Sequence, residues 1–329
     1  MKERICLGIE TTAHTFGIGI VTEKGKILAN VIDSFRTEKG GLIPSDLAKH
    51  HNDAKDNVLK NALEKANVKL KDITLVSFSQ GPGIAPALLV GMKFAKNIAK
   101  KIKAPLVGVN HCVAHLEIGK LLTKAKDPVL LYASGANTQI IAYGAGKYRI
   151  FGETLDQGIG NFIDSFARHI GLGFPGGPKI EQIALNGKNY VEIPYVVKGM
   201  DVSFSGMLTN LKRKFDSKQY KTEDLCYSLQ ETAFAMLTEV SERAMAHTGK
   251  KELVLGGGVA CNKRLQEMCN IMCKERNAKF FVPERQFLVD NGSMIAWLGI
   301  LMERQATKNY DVIDIKPYER TDDIAAKWQ

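Results

Sequence analysis

The spacing of apolar and polar residues predicts one series of elements in the first part of the chain. Apolar runs at residues 5–9, 16–22 and 26–31 predict three strands, the last two joined by a Glu-Lys-Gly turn. A helix, a strand, a helix, a strand and a helix then follow at residues 45–66, 75–78, 86–101, 106–109 and from 112 onwards. The predicted order is βββαβαβα.

The same order returns in the second part. Strands are predicted near residues 129–133, 138–143 and 147–154, with helices at 161–170, 222–247, 262–276 and 292–304 and strands at 252–255 and 279–282. The stretch at 171–210 is rich in Gly and Pro and has few periodic apolar positions, so it predicts an irregular insertion.

This repetition predicts an α/β fold of the duplicated actin-like, sugar-kinase-like and Hsp70-like ATPase (ASKHA) type, with two lobes around a nucleotide cleft. A chain of 329 residues also exceeds the ~250–300 residues at which single cores stop growing. We expect residues 1–125 to form the first lobe and 126–305 the second, with the insertion near 171–210. Residues 306–329 are expected to pack back on the first lobe.

The composition says more about the binding partners of the protein than about its fold. The formal net charge of +10 favours an anionic partner, although the lysines are spread over several helices and a solvated surface explains each run. The longest nearly apolar run, at residues 84–92, is far shorter than the ~20 residues that a membrane helix needs. With no secretory signal either, we expect a cytoplasmic protein that does not bind membranes.

Two turns, each between the first two strands of a half, are built from small and hydroxyl residues at 8–15 and 134–138. Backbone amides and hydroxyls in such turns can bind phosphate. Either turn alone is better explained as a hairpin, but their matched positions favour phosphate binding. Glu10 would repel phosphate, so it is less easily a direct ligand. A Gly run at 256–258 and a loop at 171–181 that ends in Glu181 add to a nucleotide-binding hypothesis, with surface loops as the alternative.

His111 and His115 are four residues apart at the start of a predicted helix, so both imidazoles lie on one face. This spacing suits a metal ion, and it also arises by chance. The glutamate that follows the first histidine in zinc proteases is missing, which disfavours proteolysis. A mixed nitrogen and oxygen ligand set would suit iron or zinc, but spacing does not identify the oxygen ligands.

Taken in order, these motifs resemble the tRNA threonylcarbamoyltransferase family, in its archaeal and eukaryotic branch, the catalytic subunit of the KEOPS complex. The resemblance covers nearly the whole chain. It is carried by residues 7–10, 79–83, 108–115, 132–138, 158–161 with Asp164, 174–181, 203–206, 256–260 and 290–292.

The resemblance implies two sets of site residues. One divalent metal per subunit, iron or zinc, would be held by His111, His115, Tyr132 and Asp290. Threonylcarbamoyl-adenylate, or ATP or AMP in its place, would be bound by the second set. Its members are Tyr132, Ala133, Ser134, Gly135, Ala136, Asp164, Gly177, Glu181 and Asn262. The sequence departs from the family at Ala136, where a glycine is usual.

The implied reaction transfers the threonylcarbamoyl group to N6 of the adenosine 3′ of the anticodon in tRNAs reading ANN codons. No general base can be assigned. The implied partners are tRNA and KEOPS subunits: a small protein kinase or ATPase, a small dimerising subunit and a further regulatory subunit. Because the sequence stops at Gln329, no fused kinase domain is expected in it. The alternatives are a sugar-type or acetate-type kinase on the same fold and a non-catalytic nucleotide-binding scaffold.

Overall fold

The computed structural model describes residues 3–37 and 42–328. A five-stranded sheet forms in the first half, in the strand order β3-β2-β1-β4-β5. The strands are β1 (Ile5–Glu10), β2 (Thr15–Thr22), β3 (Ile27–Ser34), β4 (Leu75–Gly81) and β5 (Leu106–Asn110). The helices of this half are α1 (Pro44–Ala66), α2 (Ala85–Ile102) and α3 (His111–Thr123).

The second half forms another five-stranded sheet, in the strand order β12-β11-β6-β7-β8. Its strands are β6 (Val129–Ala133), β7 (Thr138–Gly144), β8 (Lys147–Glu153), β11 (Glu252–Gly256) and β12 (Lys279–Phe281), and β9 (Val197–Lys198) pairs with β10 (Asp201–Val202). The helices are α4 (Ile159–His169), α5 (Gly177–Ala184), α6 (Ser205–Asp216), α7 (Thr222–Thr248), α8 (Lys263–Glu275), α9 (Arg285–Leu288) and α10 (Gly292–Leu301).

The two sheets share one topology. In each, the first three strands are antiparallel to one another, and the first strand is parallel to the fourth strand, which is parallel to the fifth. The order and direction of the strands therefore confirm the duplicated fold predicted from the sequence.

The last helix of each half packs on the sheet of the other half. Helix α10 covers β1, β2 and β4, whereas α3 packs against β11 and α10. A central core that includes Val113, Tyr132 and Ile295 fills the space between the two sheets. This exchange brings the N-termini of α3 and α10, which begin at His111 and Gly292, close together although they are far apart in the sequence.

The stretch at residues 171–210 is less irregular than predicted. It contains α5, β9, β10 and the start of α6. Pro178 is tolerated because it lies in the first turn of α5, where its missing amide is not needed. Ile180 and Ala184 follow at helical spacing and are buried in the second-half core. Glycines and prolines at the helix starts hid this periodicity in the sequence.

Residues 313–328, here called the strap, follow a segment that pairs with the edge of the first sheet. Thr307 bridges to Leu106, and Ile313 packs in the first-half core. Ala325 then bridges to Lys147 on the second sheet. The strap therefore contacts both halves. Within the described residues, the helices are too short or too polar to cross a membrane.

Candidate metal and substrate site

Helix α3 begins with one of the two predicted metal ligands. The side chain of Asn110 caps the helix, accepting hydrogen bonds from the backbone amides of Cys112 at 3.0 Å and Val113 at 3.1 Å. The cap fixes the first turn, so His111 points from the first helical position and His115 follows one turn later. Both imidazoles are buried, with 4% and 2% exposure.

Asp290, just before α10, supplies a carboxylate to both histidines. Its Oδ1 lies 3.4 Å from Nε2 of His111 and 3.3 Å from Nε2 of His115. One possible ligand atom from each of the three residues lies within 4.8 Å of the others. The phenolic oxygen of Tyr132, on β6, is 2.9 Å from Nε2 of His111. Two nitrogens and two oxygens thus converge in one buried place.

The charges of this cluster are mutually adjusted. Burial alone would lower the pKa of His111, but the negative groups facing it, among them Glu10 and Asp290, raise that pKa well above 6.5. Burial lowers the pKa of His115 and raises that of Tyr132. The pKa of Asp290 is held well below 3.8 because the histidines outweigh the effect of its burial. Metal binding would displace the proton of His111 and take over its role of balancing the carboxylates.

The donor set fits a transition metal. Nε2 of His115 faces Oδ1 of Asp290 at 3.3 Å, and Nε2 of His111 faces the same oxygen at 3.4 Å, so one nitrogen of each imidazole is directed into the cluster. Two imidazoles with carboxylate and phenolic oxygens are ligands of the kind that iron and zinc accept.

Glu10 holds His111 from the side away from the cluster. This fully buried carboxylate at the end of β1 lies 2.9 Å from Nδ1 of His111 and also accepts hydrogen bonds from Thr12. A carboxylate on the second nitrogen of a ligating histidine fixes the ring orientation and its tautomer. The geometry therefore gives Glu10 a positioning role.

The turn between β6 and β7 lies beside this cluster. Its backbone is closed by the amide of Ser134 donating to the carbonyl of Asn137 at 2.9 Å. Gly158 and Gly160 pack so closely on the turn that a Cβ on either would lie 2.3 Å and 2.7 Å from the backbone of Gly135. Only glycine allows this approach.

Two further contacts join the other predicted substrate residues to neighbouring helix starts within the second half. The carboxylate of Asp164, on α4, accepts from the amide of Gly176 at 2.7 Å, next to the start of α5. Glu181, on α5, accepts from the amide of Lys263 at 2.8 Å. Asn262 caps α8 at the same point, accepting from the amides of Arg264 and Leu265.

Comparison with known proteins decides the family. The family model for tRNA N6-adenosine threonylcarbamoyltransferase matches residues 26–297. The chain belongs to this family.

Curated threonylcarbamoyltransferases match over nearly the full length. The enzyme of Thermococcus kodakarensis is 56% identical over 326 residues, covering 98% of this chain and 99% of the relative. That of Thermococcus sibiricus is 55% identical over 325 residues, covering 98% and 100%. A probable bifunctional tRNA threonylcarbamoyladenosine biosynthesis protein of Methanocaldococcus jannaschii is 50% identical, and the match covers 98% of this chain and 60% of that longer protein.

Solved structures outside the threonylcarbamoyltransferases share the fold. HypF of T. kodakarensis matches with a TM-score of 0.65 at 14% identity, covering 95% of this chain and 50% of that one. An activator of 2-hydroxyisocaproyl-CoA dehydratase from Clostridium difficile matches with a TM-score of 0.55 at 13% identity, covering 95% and 99%. These likenesses support the ASKHA fold.

Within this threonylcarbamoyltransferase fold, the first hydroxyl-rich turn differs from its sequence-based interpretation. The amide of Thr11 donates to Ser79 at 3.0 Å, and that of Thr12 donates to Glu10 at 2.6 Å. Two amides that were candidates for phosphate are therefore already bonded to the protein. The turn instead contacts the histidine cluster through Glu10.

Two details that the sequence left open are explained locally. Ala136 is exposed, and it is not among the described residues with a positive φ, so its methyl group causes no backbone strain there.

The motif at residues 203–206 forms the start of α6. Asp156 accepts from the amides of Phe204 and Ser205, and Phe204 stacks on Phe162 at 5.4 Å. The motif therefore caps this helix and anchors its first turn on α4.

Proposed function

We propose that this chain transfers a threonylcarbamoyl group from threonylcarbamoyl-adenylate to N6 of the adenosine 3′ of the anticodon in tRNAs that read ANN codons. The observation that carries the proposal is the buried cluster of His111, His115 and Asp290, with Tyr132, in a chain whose curated relatives are threonylcarbamoyltransferases. Neither a sugar-type kinase nor a scaffold explains why this cluster accompanies that family match.

The metal in this proposal is iron or zinc, one per subunit, held by the two histidines, Tyr132 and Asp290. When bound, the metal supplies a Lewis acid that polarises substrate oxygens and stabilises developing negative charge. The protein supplies the dry surroundings, because the histidines and Tyr132 are nearly fully buried. Glu10 keeps Nε2 of His111 directed into the cluster.

The substrate in this proposal lies between the cluster and the second-half loops. The turn formed by Ala133, Ser134, Gly135 and Ala136, together with Tyr132, binds its phosphate and carbamoyl end. The N-terminus of α5 at Gly177, with Asp164, Glu181 and Asn262, binds the adenosine. A Cβ at Gly177 would meet nothing within 4 Å, so this position is open to a ligand. Asp164 lies beside this helix start, where its carboxylate accepts from the amide of Gly176 at 2.7 Å. ATP or AMP fits the same place.

The reaction forms a bond between the adenine N6 and the carbamoyl carbon. It breaks the bond from that carbon to the phosphate oxygen, releases AMP and gives up one amine proton. Bringing the two reactants together accounts for much of the rate, since it removes the entropic cost of a bimolecular step. The acceptor of the proton is not assigned to a residue.

The proposed partners follow from charge and from relatives. A net charge of +10 supports contact with the tRNA backbone. Relatives such as the M. jannaschii protein are named bifunctional, which supports cooperation with a further protein. We propose a small protein kinase or ATPase, a small dimerising subunit and a further regulatory subunit of the KEOPS complex, acting in the cytoplasm.

The test is nucleoside analysis of an unmodified tRNA that reads ANN codons, after incubation with threonylcarbamoyl-adenylate, the chain and the partner subunits. We expect threonylcarbamoyladenosine by mass spectrometry, its loss after chelation and its return when iron or zinc is added. Absence of product with an intact complex and bound AMP would overturn the proposed activity.

A further inference from the structure

The strap bonds to two residues that flank the two histidines. Asn110, directly before His111, bonds to Glu319. Glu117, two residues after His115, bonds to Trp328. The helix that carries both histidines is thus held at two points by one segment from a distant part of the sequence.

Glu319 helps to orient the capping amide of Asn110. Nδ2 of Asn110 donates to Oε2 of Glu319 at 3.2 Å, while Oδ1 accepts from the helix amides. The other oxygen of Glu319 accepts from Lys316 at 2.9 Å, and its side chain is only 6% exposed. Without this carboxylate the amide keeps only the bonds to its Oδ1, so the first helical turn, which includes His111, is held less firmly.

Trp328 holds the other histidine. Its indole Nε1 donates to Oε1 of Glu117 at 2.8 Å, and the same oxygen accepts from the hydroxyl of Tyr148 on β8. Glu117 is buried, with 3% exposure, so its carboxylate needs these donors. Trp328 and Tyr148 therefore fix the second turn of α3, from which His115 points into the cluster.

The residues between these two anchors bond to the second sheet. The hydroxyl of Thr321, which is 1% exposed, donates to Oε1 of Gln139 at 3.2 Å. Arg320 forms an exposed ion pair with Glu153 at 3.0 Å. Asn137, in the turn between β6 and β7, donates to the sulfur of Cys112 at 3.9 Å. The strap thus bonds to the second sheet, and α3 bonds separately to the turn between β6 and β7.

The strap reaches this position along residues 79–83, a motif that also carries the family resemblance. The amide of Lys316 donates to the carbonyl of Gln80 at 2.8 Å, and the amide of Gly83 donates to the carbonyl of Pro317 at 3.1 Å. A Cβ on Gly81 would lie 1.9 Å from the carbonyl oxygen of Lys316. The motif therefore seats the strap and fixes the register of Glu319 beside Asn110.

We propose that Glu319 and Trp328 are positioning residues for the metal centre, acting on His111 through Asn110 and on His115 through Glu117. This inference rests on the metal site proposed above. It assigns the strap a role in metal affinity in addition to its packing between the halves.

The test is cobalt(II) titration of the full chain, followed by visible absorption and by competition with a chelator, for Glu319→Ala, Glu319→Gln, Trp328→Phe and Arg320→Ala. We expect the Kd for cobalt to rise about fivefold to tenfold for Glu319→Ala and Trp328→Phe, the size of a lost helix cap or outer-shell contact. Glu319→Gln retains an oxygen for Asn110 and should bind as the wild type does. Arg320→Ala is the matched control, since Arg320 lies on the strap and makes no bond to α3 in the described residues.

The outcomes separate this inference from the proposed function. Wild type that binds no cobalt, zinc or iron contradicts the metal site itself. Wild type that binds cobalt, with Glu319→Ala and Trp328→Phe both matching Arg320→Ala in affinity and spectrum, overturns the role of the strap alone. If Glu319→Ala does not fold, as judged by circular dichroism, the affinity of Trp328→Phe relative to Arg320→Ala decides the matter.

Discussion

Glu10 is a buried charge that would serve the proposed metal site without contacting the metal. Its carboxylate is fully buried and is satisfied by Thr12 and by Nδ1 of His111. A charge in such a place is retained only when its partners compensate for the lost water. The imidazole of His111 does so, and in return its ring is fixed for coordination.

At this residue we predict that Glu10→Gln weakens metal binding by about tenfold, the lower end of the range for outer-shell ligands. An amide accepts a weaker hydrogen bond than a carboxylate and leaves the ring of His111 less firmly oriented. Chelator competition measures the change. The exposed Glu275→Gln serves as control, and equal affinities for the two variants would refute the positioning role of Glu10.

Individual residues also show which parts of the candidate site could be predicted from the sequence and which could not. His111 and His115 were found by their spacing within one helix. Tyr132 and Asp290 lie 21 residues from His111 and 175 residues from His115, so only the family resemblance supplied them. Glu10 was noted as a poor phosphate ligand, and its role was missed. A carboxylate at the end of an apolar strand was the available signal.

At the scale of elements, the crossing of α10 over the first sheet depends on glycine. A Cβ on Gly19 would lie 2.1 Å from the backbone nitrogen of Ser293, and one on Gly8 would lie 2.2 Å from that of Ala296. The backbones therefore approach more closely than any side chain permits. Because Asp290 directly precedes α10, this close approach also sets the position of the carboxylate in the cleft.

We predict that Gly19→Ala lowers the free energy of unfolding by about 3 kcal/mol, because neither backbone can retreat from the new methyl group. Denaturant unfolding measures the change. Gly144→Ala is the control, since a Cβ there would meet nothing within 4 Å and φ is not in the left-handed region. A loss for Gly19→Ala no larger than that for Gly144→Ala would show that α10 can shift away.

Elements with strong apolar periodicity were predicted well, whereas helices that begin with Gly or Pro were not. The ten strands of the two sheets all lie where alternating or apolar runs indicated. Helices α5 and α6 were missed because Gly and Pro at their first turns resemble loop sequence. Gly and Pro occur both in loops and at helix N-termini. Here the burial of Ile180 and Leu211 in the folded protein distinguishes a helix start from a loop.

At the scale of the whole molecule, the chain contains two halves of the same topology, and the last helix of each half packs on the sheet of the other. We propose that residues 1–125 and 126–305 remain the useful lobe boundaries, with α3 and α10 as the exchanged parts. The exchange could not be predicted, because periodicity identifies a buried face without naming the sheet that covers it. Its consequence is functional, since it brings His111 and Asp290 together across the cleft.

The most direct measurement is the amount of threonylcarbamoyladenosine formed per tRNA by wild type, His111→Ala and the exposed-histidine control His247→Ala, each with partner subunits and threonylcarbamoyl-adenylate. The account predicts that His111→Ala loses bound metal and at least ~100-fold in rate, a typical cost of removing a catalytic electrostatic group, while His247→Ala retains both. Wild-type product formation by His111→Ala without metal would contradict it.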